Sequence, residues 1–227
     1  MSSHDVTVIL AHAAWADGSS WSRVIDRLRS AGQRAIAAPL PLTSLADDAT
    51  ALDRVIERAG GPVVLVGHAY SGAVIGAARS DAVKALVYVN ALVPAEGETV
   101  LDVFTRTAPH PLAPQVAPDE HGLIWLPEDA FAQAFAPQAS QREQAVLAAV
   151  QRPISIACIT VPVERPAWRD RPSWYLVAEE DRMISAENQR FMAERIGATV
   201  AAFPLDHCPM LGAPEQVAET ILAAVRA

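Results

Sequence analysis

The chain has 227 residues, 51% of them hydrophobic, with 26 acidic against 18 basic side chains and a formal net charge of −8 at pH 7. That length builds one domain with a sizeable core, and an acidic balance without a basic stripe excludes nucleic acid as a partner. The two cysteines, Cys158 and Cys208, form no C-x-x-C pair, which excludes a disulfide framework and a cysteine metal site and points to a reducing cytoplasm.

In chain order, "VTVILAH" (Val6–His12) reads as a strand without polar alternation, as expected where both sheet faces are covered. It lacks the basic flank of a signal peptide, and His12 and Trp15 interrupt the apolar run around it. "SSWSRVIDRLRSAG" follows as a helix, with Ser19 or Ser20 near its N-cap and Gly32 at its end. Then come the strand "QRAIAAPL", the helix "SLADDATALDRVIERAG" closed by Gly60, the strand "PVVLVGH", the helix "SGAVIGAARS" and a fourth strand, "VKALVYVNAL" (Val83–Leu92). From Pro94 to Pro172 the rhythm breaks: eleven of the seventeen prolines fall here, around two short helical patches, "EDAFAQAF" and "SQREQAVLAAV". Such a segment does not continue a sheet, and residues 94–171 read as a lid inserted after the fourth strand. The alternation resumes with strand "SWYLVAEE", helix "SAENQRFMAERIG", strand "TVAAFP" and helix "APEQVAETILAAV". The pattern predicts one α/β domain over residues 1–227, a mostly parallel sheet of about six strands with helices on both faces. No apolar run reaches the roughly 20 residues that cross a bilayer, so no membrane partner is expected.

Ligands of an open parallel sheet bind beyond the carboxyl ends of its strands, and three strand-following loops carry suggestive residues. "VLVGHAYSGAVIG" has the strand–turn–helix shape of a nucleophile elbow, G-x-S-x-G, but Ala69 holds the central position. Gly67 and Gly72 also fit the frame of a phosphate loop, yet Ala73 and Val74 stand where Lys and Ser or Thr are needed, so nucleotide binding is rejected. "VAEEDRMI" offers Asp181, with Glu179 and Glu180 as competitors, and "PLDHCPMLGAPEQV" offers His207. His12, His68, His110 and His121 read as structural or surface residues. Elbow, acid and histidine in that order match the order of a Ser–Asp–His triad in an α/β-hydrolase. An Asp181 carboxylate beside His207 would fix the imidazole tautomer and stabilise its protonated form.

These stretches together resemble compact bacterial α/β-hydrolases, similar to the esterase and hydroxynitrile lyase branch. "LAHAAWADGSSW" resembles its H-G-A-x-x-x-x-x-x-W opening, "VGHAYSGAVI" its G-H-S-x-G-G elbow, "EEDRMI" its acid loop and "DHCPMLGAPEQVAETI" its H-x-P-M-L loop. The resemblance implies the α/β-hydrolase fold, Asp181 and His207 as acid and base, and backbone N–H groups of Ala14 and Tyr70 as oxyanion donors. It implies a pocket shaped by Trp15 and the lid, where Leu123, Ile124, Trp125 and Phe131 either line the pocket or pack the lid. Neither cofactor nor metal is implied, and the substrate is a small carbonyl or ester compound. Oligomeric state is not legible.

Three departures shape the expected mechanism: Ala69 for the nucleophilic serine, Ser71 for an elbow glycine, and Ala13 for the glycine of the opening. Ser71, two residues past the apex, is expected to face helix–strand packing and so not to replace the nucleophile. The leading expectation is a serine-less enzyme working through a His207–Asp181 dyad by lyase-type chemistry or water-mediated hydrolysis. A serine esterase whose nucleophile has been replaced, and a silent small-molecule binder, are the alternatives.

Overall fold

The computed structural model describes residues 6–227; the residues that bear on a leader segment before Val6 lie outside them. Strands β1 (Thr7–Ala11), β2 (Arg34–Ala38), β3 (Val63–His68) and β4 (Val83–Val89) alternate with helices α1 (Ser22–Ser30), α2 (Leu45–Ala59) and α3 (Ser71–Gly76). Next come α4 (Val100–Phe104), β5 (Leu123–Ile124), α5 (Glu128–Ala130), a π-helical turn (Phe131–Phe135), α6 (Gln141–Val150) and β6 (Ile154–Ser155). The chain closes with β7 (Ser173–Ala178), α7 (Ala186–Arg195), β8 (Thr199–Phe203), α8 (Pro209–Gly212) and α9 (Pro214–Arg226). The main sheet is six-stranded and wholly parallel in the order β2-β1-β3-β4-β7-β8, while β5 and β6 pair separately and antiparallel.

The strand order sets where the helices lie. The path from β1 to β2 runs one way across the sheet and the path from β2 to β3 runs back, so right-handed crossovers put α1 and α2 on opposite faces. In accord, α1 packs with α9, whereas α2 packs with α3. Strands β1 and β3 are buried at every residue, and each Val or Leu so enclosed contributes roughly 1.5–3 kcal/mol. The direction of winding reverses between β1 and β3, and such a switch point opens a crevice at the carboxyl end.

Local chemistry explains most boundaries. Ser44 caps α2 by accepting the N–H of Asp47, and Gly60 ends it in the left-handed region at φ 72. The first helix departs from expectation: Asp17, not Ser19 or Ser20, is the capping side chain, and it starts a 3₁₀ turn over Gly18–Trp21 that leads into α1. Strand β4 also stops short of Leu92, because Asn90 turns the backbone to φ 34. Among the described residues, no helix is long and apolar enough to cross a membrane.

Candidate active site

The elbow is built by close backbone approach. After the buried β3, Ala69 takes φ 49, a left-handed conformation that costs a residue with a Cβ roughly 1–3 kcal/mol. The turn is held by Leu92 N donating to the Ala69 carbonyl at 2.9 Å and Gly72 N donating to it at 3.1 Å. A Cβ on Gly67 would lie 2.5 Å from the Ser71 carbonyl oxygen, and one on Gly72 would run into the Leu92 carbonyl. The two glycines therefore serve packing, not phosphate. The Ser71 hydroxyl donates to the His12 carbonyl and is fully buried, so it points away from any ligand and ties the elbow to the loop after β1.

Asp181 and His207 sit in the loops that follow β7 and β8. Asp181 follows β7, and five N–H groups converge on its carboxylate. Met183 N (2.7 Å) and Ile184 N (3.0 Å) donate to Oδ1; Asn90 Nδ2 (2.9 Å), Gln189 Nε2 (3.1 Å) and His207 Nδ1 (2.9 Å) donate to Oδ2. Asn90 Nδ2 also donates to the His207 carbonyl at 2.9 Å, so one amide positions both partners. With Nδ1 committed to Asp181, the other ring nitrogen of His207 keeps its lone pair. Its ring lies between those of His68 and Phe135, with centroids 4.9 and 5.2 Å away. His68 donates through Nε2 to the His207 carbonyl at 2.7 Å, and burial, with His207 beside it, drives its pKa well below the usual value. His68 is thus a neutral neighbour that adds no competing positive charge.

Ala13, Ala14, Trp15, Ala69, Tyr70 and His207 line one cavity of about 420 Å³ at the switch point between β1 and β3. Ala14 and Tyr70 are nearly buried there, and among the described residues neither backbone N–H has a protein acceptor. Trp15 fixes the far wall: its Nε1 donates to the Ile124 carbonyl at 2.9 Å, and its ring meets Phe135 edge-on at 6.3 Å. Behind the elbow, the Tyr70 hydroxyl donates to Asp48 Oδ2 at 2.7 Å and Leu42 N donates to Asp48 Oδ1 at 2.7 Å. Burial raises the Asp48 pKa and pushes the adjacent Cys158 thiol up to about 12.

Three expected pocket residues are not among those lining the cavity. Strand alternation turns Ile124 inward and its neighbours Leu123 and Trp125 away, with Trp125 49% exposed. Phe131 is fully buried, packed on Phe135 with centroids 5.3 Å apart. Sequence reasoning missed Asn90, Gln189 and Phe135. Asn90 carried a usable signal, a polar side chain at the carboxyl end of a buried strand; the other two did not. Glu179 pairs with Arg190 at the surface and Glu180 accepts from Gln138 Nε2, so neither approaches His207 as Asp181 does.

Residues 8–220 match the model of the alpha/beta hydrolase family. The chain is similar to the alpha/beta hydrolase nvfD of Aspergillus novofumigatus (strain IBT 16806), 23% identical over 239 residues, with 94% of each chain covered. Polyneuridine aldehyde esterase superposes with a TM-score of 0.82 at 19% identity, over 96% of this chain and 98% of that one. A pyrethroid hydrolase from Sphingobium faniae JZ-2 gives 0.80 at 22% identity, with 98% of each chain covered. An extracellular alpha/beta-hydrolase from a Paenibacillus species gives 0.81 at 19% identity, over 98% of this chain and all of that one. At these identities the structural likeness establishes the fold. Together, the family match and the esterase and hydrolase neighbours support an enzyme.

Proposed function

The chain belongs to the alpha/beta hydrolase family, and from that premise we propose that it acts on a small carbonyl or ester compound through a His207–Asp181 dyad without a covalent enzyme intermediate. The observation that carries this reading is the convergence of five donors on Asp181, which fixes His207 in a cavity that Ala69 also lines. Ala69 occupies the nucleophile position and has no hydroxyl, so no acyl-enzyme forms there. Its methyl leaves room for a water or a substrate atom.

In ester hydrolysis, His207 takes a proton from water as the oxygen bonds to the carbonyl carbon. The N–H groups of Ala14 and Tyr70 hold the resulting oxyanion. Collapse breaks the C–O bond, and His207 returns the proton to the leaving alkoxide. Asp181 stabilises the intervening imidazolium. Acid–base catalysis of this kind supplies roughly 10²–10⁴-fold, and one oxyanion donor about 10²–10³-fold. A lyase-type cleavage of a cyanohydrin uses the same groups: His207 takes the hydroxyl proton, the bond to the nitrile carbon breaks as the carbonyl forms, and His207 returns the proton to the departing cyanide. Residues 94–171 serve as the lid. The two free buried thiols suit a reducing compartment.

The test is His207→Ala, assayed against short aryl esters and cyanohydrins. Loss of turnover by about 10² or more is expected, and unchanged turnover overturns the dyad. A second reading, a serine esterase with its nucleophile replaced, is favoured by the left-handed backbone that Ala69 keeps without a hydroxyl to present. Ala69→Ser decides it: a burst of aryl alcohol supports that reading, and its absence supports the noncovalent one. A silent binder is disfavoured because a binder has no chemical need for a buried, aligned acid–base pair.

A further inference from the structure

We infer that the substrate is a neutral, elongated molecule with one polar reacting end and an apolar tail, and that the tail leaves between α4 and the segment of residues 105–118. This rests on the reading of His207 as the reacting end and extends it to the chemistry of the rest of the ligand. A cavity of about 420 Å³ is in the range that encloses most of a small organic ligand. Among the described residues, its lining includes no Lys, Arg, Asp or Glu.

The polar side chains that do line it are mostly turned to protein partners. Thr105 Oγ1 donates to the Leu101 carbonyl at 2.8 Å, Thr107 and Ser185 share a hydrogen bond of 2.9 Å, and His110 Nδ1 accepts the Leu112 N–H at 3.0 Å. The Tyr70 hydroxyl is committed to Asp48. What remains for a ligand at the deep end is His207 and the N–H groups of Ala14 and Tyr70, with Gln115 and the Nε2 of His110 at the exposed rim. One polar end and one apolar barrel follow.

The outer end is apolar as well as open. Leu101, Phe104 and Val116 line the cavity, yet are 38%, 38% and 39% exposed. Large apolar side chains held half in solvent around a cavity mouth gain burial when an apolar tail passes between them. A carboxylate on that tail meets no cation and loses its hydration on entry. Leu101, Phe104 and Val116 are therefore specificity-determining residues that read tail length.

The experiment is calorimetric binding of methyl n-alkyl ketones, from acetone upward one methylene at a time, to the unaltered chain and to His207→Ala. Affinity is expected to rise about fourfold per methylene, the ratio that about 0.8 kcal/mol per buried CH₂ gives, in both proteins. The methyl ketone of equal length whose far end is a carboxylate is expected to bind at least about tenfold more weakly. Leu101→Ser, Phe104→Ser and Val116→Ser, all at half-exposed sites, are each expected to reduce the increment for the longer ketones. Affinity independent of chain length, or a carboxylate-tailed ketone that binds as well as the plain one, overturns the inference. A chain-length increment with no turnover in the unaltered protein instead overturns the dyad and leaves the ligand class standing.

Discussion

Ser71 does at one residue what a glycine in that place cannot. Its hydroxyl donates to the His12 carbonyl, joining the turn that carries Tyr70 to the loop that carries Ala14. Removing it leaves a buried carbonyl without a donor, which costs about 1–3 kcal/mol. Ser71→Ala is therefore expected to lower unfolding stability by that amount in urea titrations while retaining measurable turnover; complete loss of turnover in a stably folded variant would instead make Ser71 the nucleophile. Gly72 is stricter, because its missing Cβ is where the Leu92 carbonyl already sits. Gly72→Ala must displace backbone, so a loss of roughly 3 kcal/mol or a failure to fold is expected. A soluble variant with an unchanged urea midpoint would refute the close approach.

At the level of elements, α2 matters to the site through a single buried side chain. Asp48 accepts from Leu42 N and from the Tyr70 hydroxyl, and the Cys158 thiol lies 3.8 Å from the same carboxylate. One helix thus holds the elbow and the segment between β4 and β7 together. Asp48→Ala orphans two buried donors and is expected to cost about 2 kcal/mol in urea unfolding; a change under about 0.5 kcal/mol would show that the cluster holds nothing. The four inner strands were legible in the sequence because both sheet faces are covered there, which writes them as nearly unbroken apolar runs such as "VVLVGH", whereas the partly exposed edge strands β2 and β8 were placed by the strand–helix alternation. Asp181 and His207, which lie within 2.9 Å of each other, were singled out because the carboxyl-end rule points to strand-following loops. The β5–β6 pair was not, since two residues per strand carry no period. Nor was the wall of the cavity formed by residues 105–118, which lack regular structure and so carry no period. The choice between pocket and lid packing stayed open for Phe131 and Trp125 for a like reason: composition marks a residue as apolar but not the direction it faces.

For the molecule as a whole, pH acts through groups buried far from water. Burial lowers the pKa values of His12 and His68 from their ordinary 6.5, so the unfolded chain takes up protons first as pH falls. Their contribution to stability is complete above 6.5 and is lost below it, toward the depressed folded values. Asp48 and Asp206 act in the opposite sense: burial raises their pKa values above 3.8, so stability from these groups declines as pH rises through that window. Melting temperatures one unit above and one unit below 6.5 are expected to fall toward the acid side, and His68→Gln is expected to shrink the difference. An equal difference in that variant would remove His68 from the account. The seam between β4 and β7 has a different consequence, one for inheritance. These neighbouring strands are joined through residues 90–172, and closing a long loop is so weakly dependent on length that doubling it costs only about 0.6 kcal/mol. The stretch that lines the outer cavity can therefore be lengthened, trimmed or exchanged between relatives at little expense to the sheet. On the proposed reading, reaction chemistry and substrate choice are written in parts of the chain that are free to change at different rates.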